Sequence, residues 1–225
     1  MKKFLNILLT IVLFIGQIGF SYVVVFLLNR LGLNINGLST SYKLFLFTGI
    51  DILFMLILFF IYRKDIIRDF NDFKTHGKEY FLFGFKIWIL SLIGMIVINN
   101  IIYRIYFKQA TNEVLVESYL TKFPLYMLFS SCIYAPFVEE IIYRKSIRNI
   151  FENVVVYILV SGLVFGAIHT LGYLDNSLEL LYILPYGLVG AAFAYVYSKT
   201  DNIFTTICLH GLHNLLTVIL FFVTK

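Results

Sequence analysis

Seven mostly apolar runs of about 18–30 residues follow one another along this chain, and each is long enough to cross a bilayer. In hydrocarbon the backbone has no water to bond to, so helices that satisfy their own backbone groups are the structure open to such runs. The runs lie at 4–28, 44–62, 80–103, 123–152, 154–171, 178–197 and 203–223, the fourth continuing as a helix to about Glu152. Composition agrees: 60% of the 225 residues are hydrophobic and 14% charged, whereas a soluble domain carries about 25% charged residues. The expected fold is therefore all-α, a polytopic protein of about seven transmembrane helices. It is a multi-pass protein of the cell membrane whose first partner is the lipid bilayer. The chain is expected to divide into 1–122, three spans plus an amphipathic segment, and 123–225, a core of four helices.

The connections are short. The stretch 63–78 mixes Arg63, Lys64, Arg68, Lys74 and Lys78 with Asp65, Asp69 and Asp72, and reads as a solvated loop, in part helical, in which His76 is an ordinary exposed histidine. Residues 108–122 read as an amphipathic helix at the interface. The formal charge of +5 reports orientation and gives no reason to expect nucleic acid. Lys2, Lys3, Arg63, Lys64, Arg68, Lys74, Lys78, Lys86, Arg144, Lys145, Arg148 and Lys199 fall on one side. Arg30, Lys43, Arg104, Lys108, Lys122 and Lys225 fall on the other, so the amino terminus is expected inside. The run after Met1-Lys2-Lys3 has no small-residue cleavage site and reads as a retained anchor. The two cysteines, Cys132 and Cys208, form no CxxC pair and give no metal or disulfide framework. The Ile-, Asn-, Lys-, Tyr- and Phe-rich composition points to a bacterial source.

Against this apolar background stand a few costly residues. Glu139 and Glu140 are adjacent in the fourth run, one turn before Arg144; His169 lies in the fifth, and His210, His213 and Asn214 in the last. Ionisable groups inside a membrane are rare and mark function. Residues four apart share a helix face, which pairs Glu140 with Arg144 and His210 with Asn214. His213 falls outside that spacing. If the fourth and fifth helices turn near Asn153, Glu140 lies 13 residues before the turn and His169 16 after it, a height difference of about 4–5 Å. The polar groups can then meet in one layer. Such a set can supply a general base, a proton donor and an oxyanion stabiliser for attack of water on a peptide bond. Glu140, His169 and His210 could equally be three zinc ligands with one position left for water.

The motifs Glu139-Glu140-x-x-Tyr143-Arg144, Phe165-x-x-x-His169 and His210-x-x-x-Asn214, in that order, resemble the CPBP family: CAAX proteases and bacteriocin-processing enzymes, also called Abi proteins. The resemblance covers about 123–222 and implies an intramembrane endopeptidase that hydrolyses a membrane-associated peptide or protein. It implies that Glu140, helped by Glu139, activates water together with His169, and that His210 and Asn214 bind the oxyanion. Tyr143, Arg144 and Phe165 would support them. It favours the metal-free glutamate form, with no cofactor, over the zinc form. Peptide maturation or bacteriocin self-immunity are the roles it implies in bacteria. The competing expectation is a non-catalytic membrane immunity or scaffold protein that uses the polar layer for packing.

Overall fold

The computed structural model describes residues 2–174 and 176–224, so Met1 and Lys225, with the terminal charge assigned above to the outer side, lie outside the described residues. Helix α1 covers Lys2–Arg30, α2 Thr40–Tyr106, α3 Thr111–Lys122 and α4 Pro124–Ser146. Then come α5 Val154–Leu171, α6 Ile183–Thr200 and α7 Ile203–Thr224. Short 3-10 turns occupy Ile35–Gly37 and Ser177–Tyr182, and the described residues contain no strand.

All of these helices except α3 are long and apolar enough to cross a membrane, six in total among the described residues. The seven apolar runs fit into six helices because α2, at 67 residues, holds two of them. The charged stretch 63–78 between those two is helical and not the expected loop. It contains no proline, its glycine is Gly77, and contacts one turn apart support it: the Arg68–Asp65 ion pair at 3.8 Å and the His76 Nδ1–Asp72 Oδ1 hydrogen bond at 2.8 Å. A straight helix of that length would run about 100 Å, and the backbone departs from helical geometry at Tyr62 (φ −104°, ψ 17°).

That charged stretch sets the height of two other helices. Ile203, the first residue of α7, donates its N–H to Asp69 Oδ2 at 3.2 Å, and Asn202 Nδ2 donates to the Asp69 carbonyl at 2.7 Å. A carboxylate at a helix amino terminus meets unpaired N–H groups and the positive end of the dipole. Lys145 Nζ lies 3.1 Å from Asp65 Oδ1 and ties α4 to the same stretch. Helix α1 rides on α4 through Asn6 Nδ2 to the Asn149 carbonyl (2.9 Å) and through Tyr143, whose hydroxyl donates to Gln17 Oε1 (2.8 Å).

Two expectations for α4 are corrected. Its helical backbone ends by residue 148 and turns at 149–150, well short of Glu152. Asn153 then caps α5 by accepting from the N–H groups of Val155 and Val156. Arg144 is fully buried and Lys145 nearly so. Neither is an exposed charge at the end of the helix. The 108–122 segment also does more than lie at an interface. Leu120 of α3 is buried with Val218 and Phe221 of α7.

Helices α5 and α6 cross unusually closely. A Cβ on Gly166 would run into the Ile183 carbonyl and stand 2.9 Å from the Gly187 nitrogen, and one on Gly162 would stand 2.8 Å from the Gly187 carbonyl. Small residues at such crossings let backbones touch where lipid offers no hydrophobic push between helices. The crossing brings the ring of Tyr186, on α6, against His169.

Candidate active site

Helix α4 is wound loosely in two places, Ser130–Tyr134 and Glu140–Ser146, where bonding runs i→i+5. Such turns recur at functional sites because they shift side chains around the helix and leave carbonyls to be paired elsewhere. The first has a cause in the sequence. Ala135 donates to the Ser130 carbonyl, and in the same register the Ser131 carbonyl would need the N–H of residue 136, which is proline and has none. Asn214 Nδ2 of α7 donates to that carbonyl at 2.7 Å. Gly211 permits the approach, since a Cβ there would stand 3.0 Å from the Cys132 carbonyl. Asn214→Ala is therefore expected to cost about 1–3 kcal/mol by leaving a buried carbonyl unpaired. Pro136→Ala in the same chain, which returns an N–H, should recover most of that loss in a thermal melt in detergent.

The second loose turn begins at Glu140. Its side chain is completely buried and bound from two sides. Arg144 approaches with Nη2 3.1 Å from Oε1 and Nε 3.0 Å from Oε2, and His210 Nδ1 lies 2.9 Å from Oε1. Because a carboxylate only accepts, the His210 proton on this side is on Nδ1. Arg144 is itself enclosed: Nη1 donates to Ser161 Oγ at 3.0 Å, Ser161 donates to the Tyr143 carbonyl at 2.7 Å, and the Phe165 ring lies 4.8 Å from the guanidinium carbon. Tyr143, Arg144 and Phe165 thus form the packing around Glu140.

Glu139 faces the other way. It is 9% exposed, and its Oε2 is buried with no hydrogen-bond partner among the described residues. That oxygen lies 3.7 Å from His169 Nε2 and 4.0 Å from His210 Nε2. His169 Nδ1 lies 2.9 Å from the Phe165 carbonyl, which can only accept. The neutral ring therefore carries its proton on Nδ1 and turns the Nε2 lone pair toward Glu139. Its plane is held between Phe165, at 4.4 Å centroid distance, and Tyr186, at 5.3 Å.

The residues expected from the sequence are thus gathered from α4, α5 and α7, but the two glutamates differ in surroundings. Of the expected zinc set Glu140, His169 and His210, Glu140 has Arg144 at 3.0 Å and 3.1 Å and His210 Nδ1 at 2.9 Å from its oxygens. Among the described residues, no three candidate ligands are gathered in metal-binding geometry. Tyr186 and Trp88 were not singled out in the sequence. Tyr186 is one of 16 tyrosines with no distinguishing spacing. Trp88 matters through a long-range bond to His213, Nε1 to Nδ1 at 3.1 Å. His213, outside the expected four-residue spacing, is thereby fixed against α2.

Comparison with known proteins bears on the same segment. Residues 121–216 match the family model described as "Type II CAAX prenyl endopeptidase Rce1-like". A curated Bacillus subtilis protein, "Putative membrane peptidase YdiL", is 28% identical over 116 residues. That match covers 50% of this chain and 44% of the relative, so this chain spans less than half of the relative's length. No solved structure gives a significant match.

Proposed function

We propose that this chain, whose residues 121–216 match the Rce1-like family model, is a CPBP-family intramembrane endopeptidase in which Glu139 activates water. The substrate is a membrane-associated peptide or protein. The observation carrying this reading is Glu139 Oε2, a buried acceptor without a partner, facing the Nε2 atoms of two histidines. A 3.7 Å separation is one that a bridging water spans. Donating its two hydrogens to Glu139 Oε2 and His169 Nε2, such a water points a lone pair at a substrate carbonyl carbon.

The proton then passes from water to Glu139 as the oxygen–carbon bond forms and the carbonyl electron pair moves onto oxygen. Glu139 returns the proton to the amide nitrogen as the carbon–nitrogen bond breaks, leaving a carboxylic acid and an amine. Asn214 has one amide hydrogen on Ser131 and a second available for the oxyanion. Glu140 and Arg144 act by holding His210. In this assignment the base is Glu139, and Glu140 is the positioning partner.

No step requires a metal. The test is a comparison of membrane and secreted peptides between cells carrying wild type and His169→Ala, followed by cleavage of the accumulating precursor by purified protein with and without 1,10-phenanthroline. Precursor accumulation and chelator-resistant cleavage are expected. Identical peptide profiles, with the phenotype intact, would favour the scaffold reading. Chelator-sensitive cleavage restored by zinc would favour an ion held by Glu139, His169 and His210.

A further inference from the structure

Hydrolysis by this route leaves a second group of acidic and amide oxygens unused. Where α2 ends and α3 begins, a cavity of about 170 Å³ is lined by Asn99, Asn100, Tyr103, Gln109, Glu113 and Tyr182. Small-molecule sites run to about 300–1,000 Å³, so this one is on the scale of a single side chain. Two donors around it are spent: Asn100 Nδ2 on the Ile96 carbonyl at 2.7 Å, and the Tyr182 hydroxyl on the Lys108 carbonyl at 2.6 Å. Its acceptors are not. Among the described residues Asn99 Oδ1 is buried with no hydrogen-bond partner, and Glu113 forms no ion pair.

Glu179 adds a second carboxylate. It is 1% exposed; its Oε1 accepts from the Thr111 N–H at 2.6 Å, while Oε2 is buried with no partner among the described residues. In a 3-10 turn, positions three apart eclipse, so within Ser177–Tyr182 Glu179 shares a face with Tyr182, which lines the cavity. Two carboxylates without a countercharge, beside the carbonyl end of α2, favour a cation. Lys108, next in sequence to the lining residue Gln109, holds its Nζ over the Tyr106 ring at 5.7 Å and does not line the cavity.

One side chain joins this cavity to the catalytic gap. The Tyr186 ring stacks on His169 at 5.3 Å, and at its other end the hydroxyl lies 3.5 Å from Glu113 Oε1 and 3.5 Å from Asn112 Nδ2. Glu113 is thus a tyrosine's length from the histidine that faces Glu139, a span that an extended peptide covers in about three residues. We propose that the cavity is a subsite for one basic side chain of the substrate, held by Glu113 and Asn99 Oδ1 with Glu179 behind them, about three residues from the scissile bond. This rests on the hydrolytic reading above and adds what the substrate must carry. An ammonium or a guanidinium donates only, which matches a wall whose unpaired atoms accept.

The test uses full-length protein in detergent and an internally quenched peptide copied from the precursor that accumulates in cells carrying His169→Ala. In variants of that peptide, each lysine and arginine near the cleaved bond is replaced in turn by glutamine. One replacement is expected to raise KM about 10–100-fold, the scale of a hydrogen bond to a charged group, with kcat falling much less. Glu113→Gln, which keeps an acceptor for Tyr186, is expected to raise KM for the unaltered peptide to a similar extent and to be indifferent to that replacement. Glu113→Lys is expected to reject the unaltered peptide and to regain cleavage of one carrying glutamate at that position, an exchange that a merely structural role would not produce. Wild-type KM in both Glu113 variants, or no basic residue whose loss raises KM, overturns the subsite and leaves the protease reading standing. Calcium chloride that raises kcat of wild type and not of Glu113→Gln places an inorganic ion in the cavity and also overturns the subsite. Undiminished cleavage by Glu139→Gln, or none by wild type, overturns the protease reading and the inference with it.

Discussion

Glu139→Gln is expected to abolish cleavage, lowering kcat by about 10²–10⁴-fold, while leaving the melting temperature of the purified protein close to wild type. The substitution keeps volume and polarity but removes the group that takes the water proton. Stability should survive because Glu139 Oε2 holds nothing together: it has no hydrogen-bond partner among the described residues and stands 3.7 Å and 4.0 Å from the two histidine nitrogens. Glu140→Gln should behave in the opposite way. It removes the countercharge of Arg144 and replaces one of the two oxygens between Arg144 and His210 with an NH2 group that can only donate, so the melting temperature should fall, while part of the cleavage activity remains. Steady-state cleavage and thermal unfolding in the same detergent separate the two. If Glu140→Gln were inactive with an unchanged melt and Glu139→Gln still cleaved, the roles assigned to the pair would have to be exchanged.

The largest expected loss of stability comes from Arg144→Met. Both members of the Arg144–Glu140 pair are 0% exposed, and removing one partner of a buried ion pair costs about 3–5 kcal/mol because the other charge stays buried without compensation. The guanidinium also satisfies Ser161 and packs on Phe165, contacts that a lysine cannot reproduce with its single point charge. Arg144→Lys should therefore recover only part of the loss. The double variant Arg144→Met with Glu140→Leu is expected to be more stable than Arg144→Met alone, since exchanging a buried pair for apolar side chains is often close to neutral. The yield of folded protein in detergent and its melting temperature report the order. A double variant no more stable than the single one would show that Arg144 acts chiefly through Ser161 and Phe165.

Much of this architecture was legible in the residues. The apolar runs identified the helices, and the vertical count from Asn153 brought Glu140 and His169 to one layer because helical rise is uniform. The count failed where its premise did. Helix α4 does not continue to Glu152, and Arg144, taken as a surface charge, is buried against Glu140. Basic residues in an apolar run are ambiguous: the same side chain can reach water or neutralise an internal carboxylate, and only its neighbours decide. The stretch 63–78 was mistaken for a loop because its polarity is that of a loop, although its residues form helix readily and pair one turn apart.

By itself the sequence determined that this chain spans a membrane as helices and which few polar residues are too costly to be accidental. It also contained the cause of the loosened turn, since Pro136 lacks the N–H that the Ser131 carbonyl would need. Only the tertiary structure decided how Glu139 and Glu140 divide their work. Neighbours on a helix point about 100° apart: the four-residue spacing already gave Arg144 to Glu140, but not that His210 would bond Glu140 through Nδ1 while Glu139 faces the Nε2 atoms of both histidines. That arrangement depends on how α4 is unwound and on where α5 and α7 press against it. The same holds for Trp88 and His213, 125 positions apart: no local pattern links them, and their bond exists only because α2 and α7 are packed side by side.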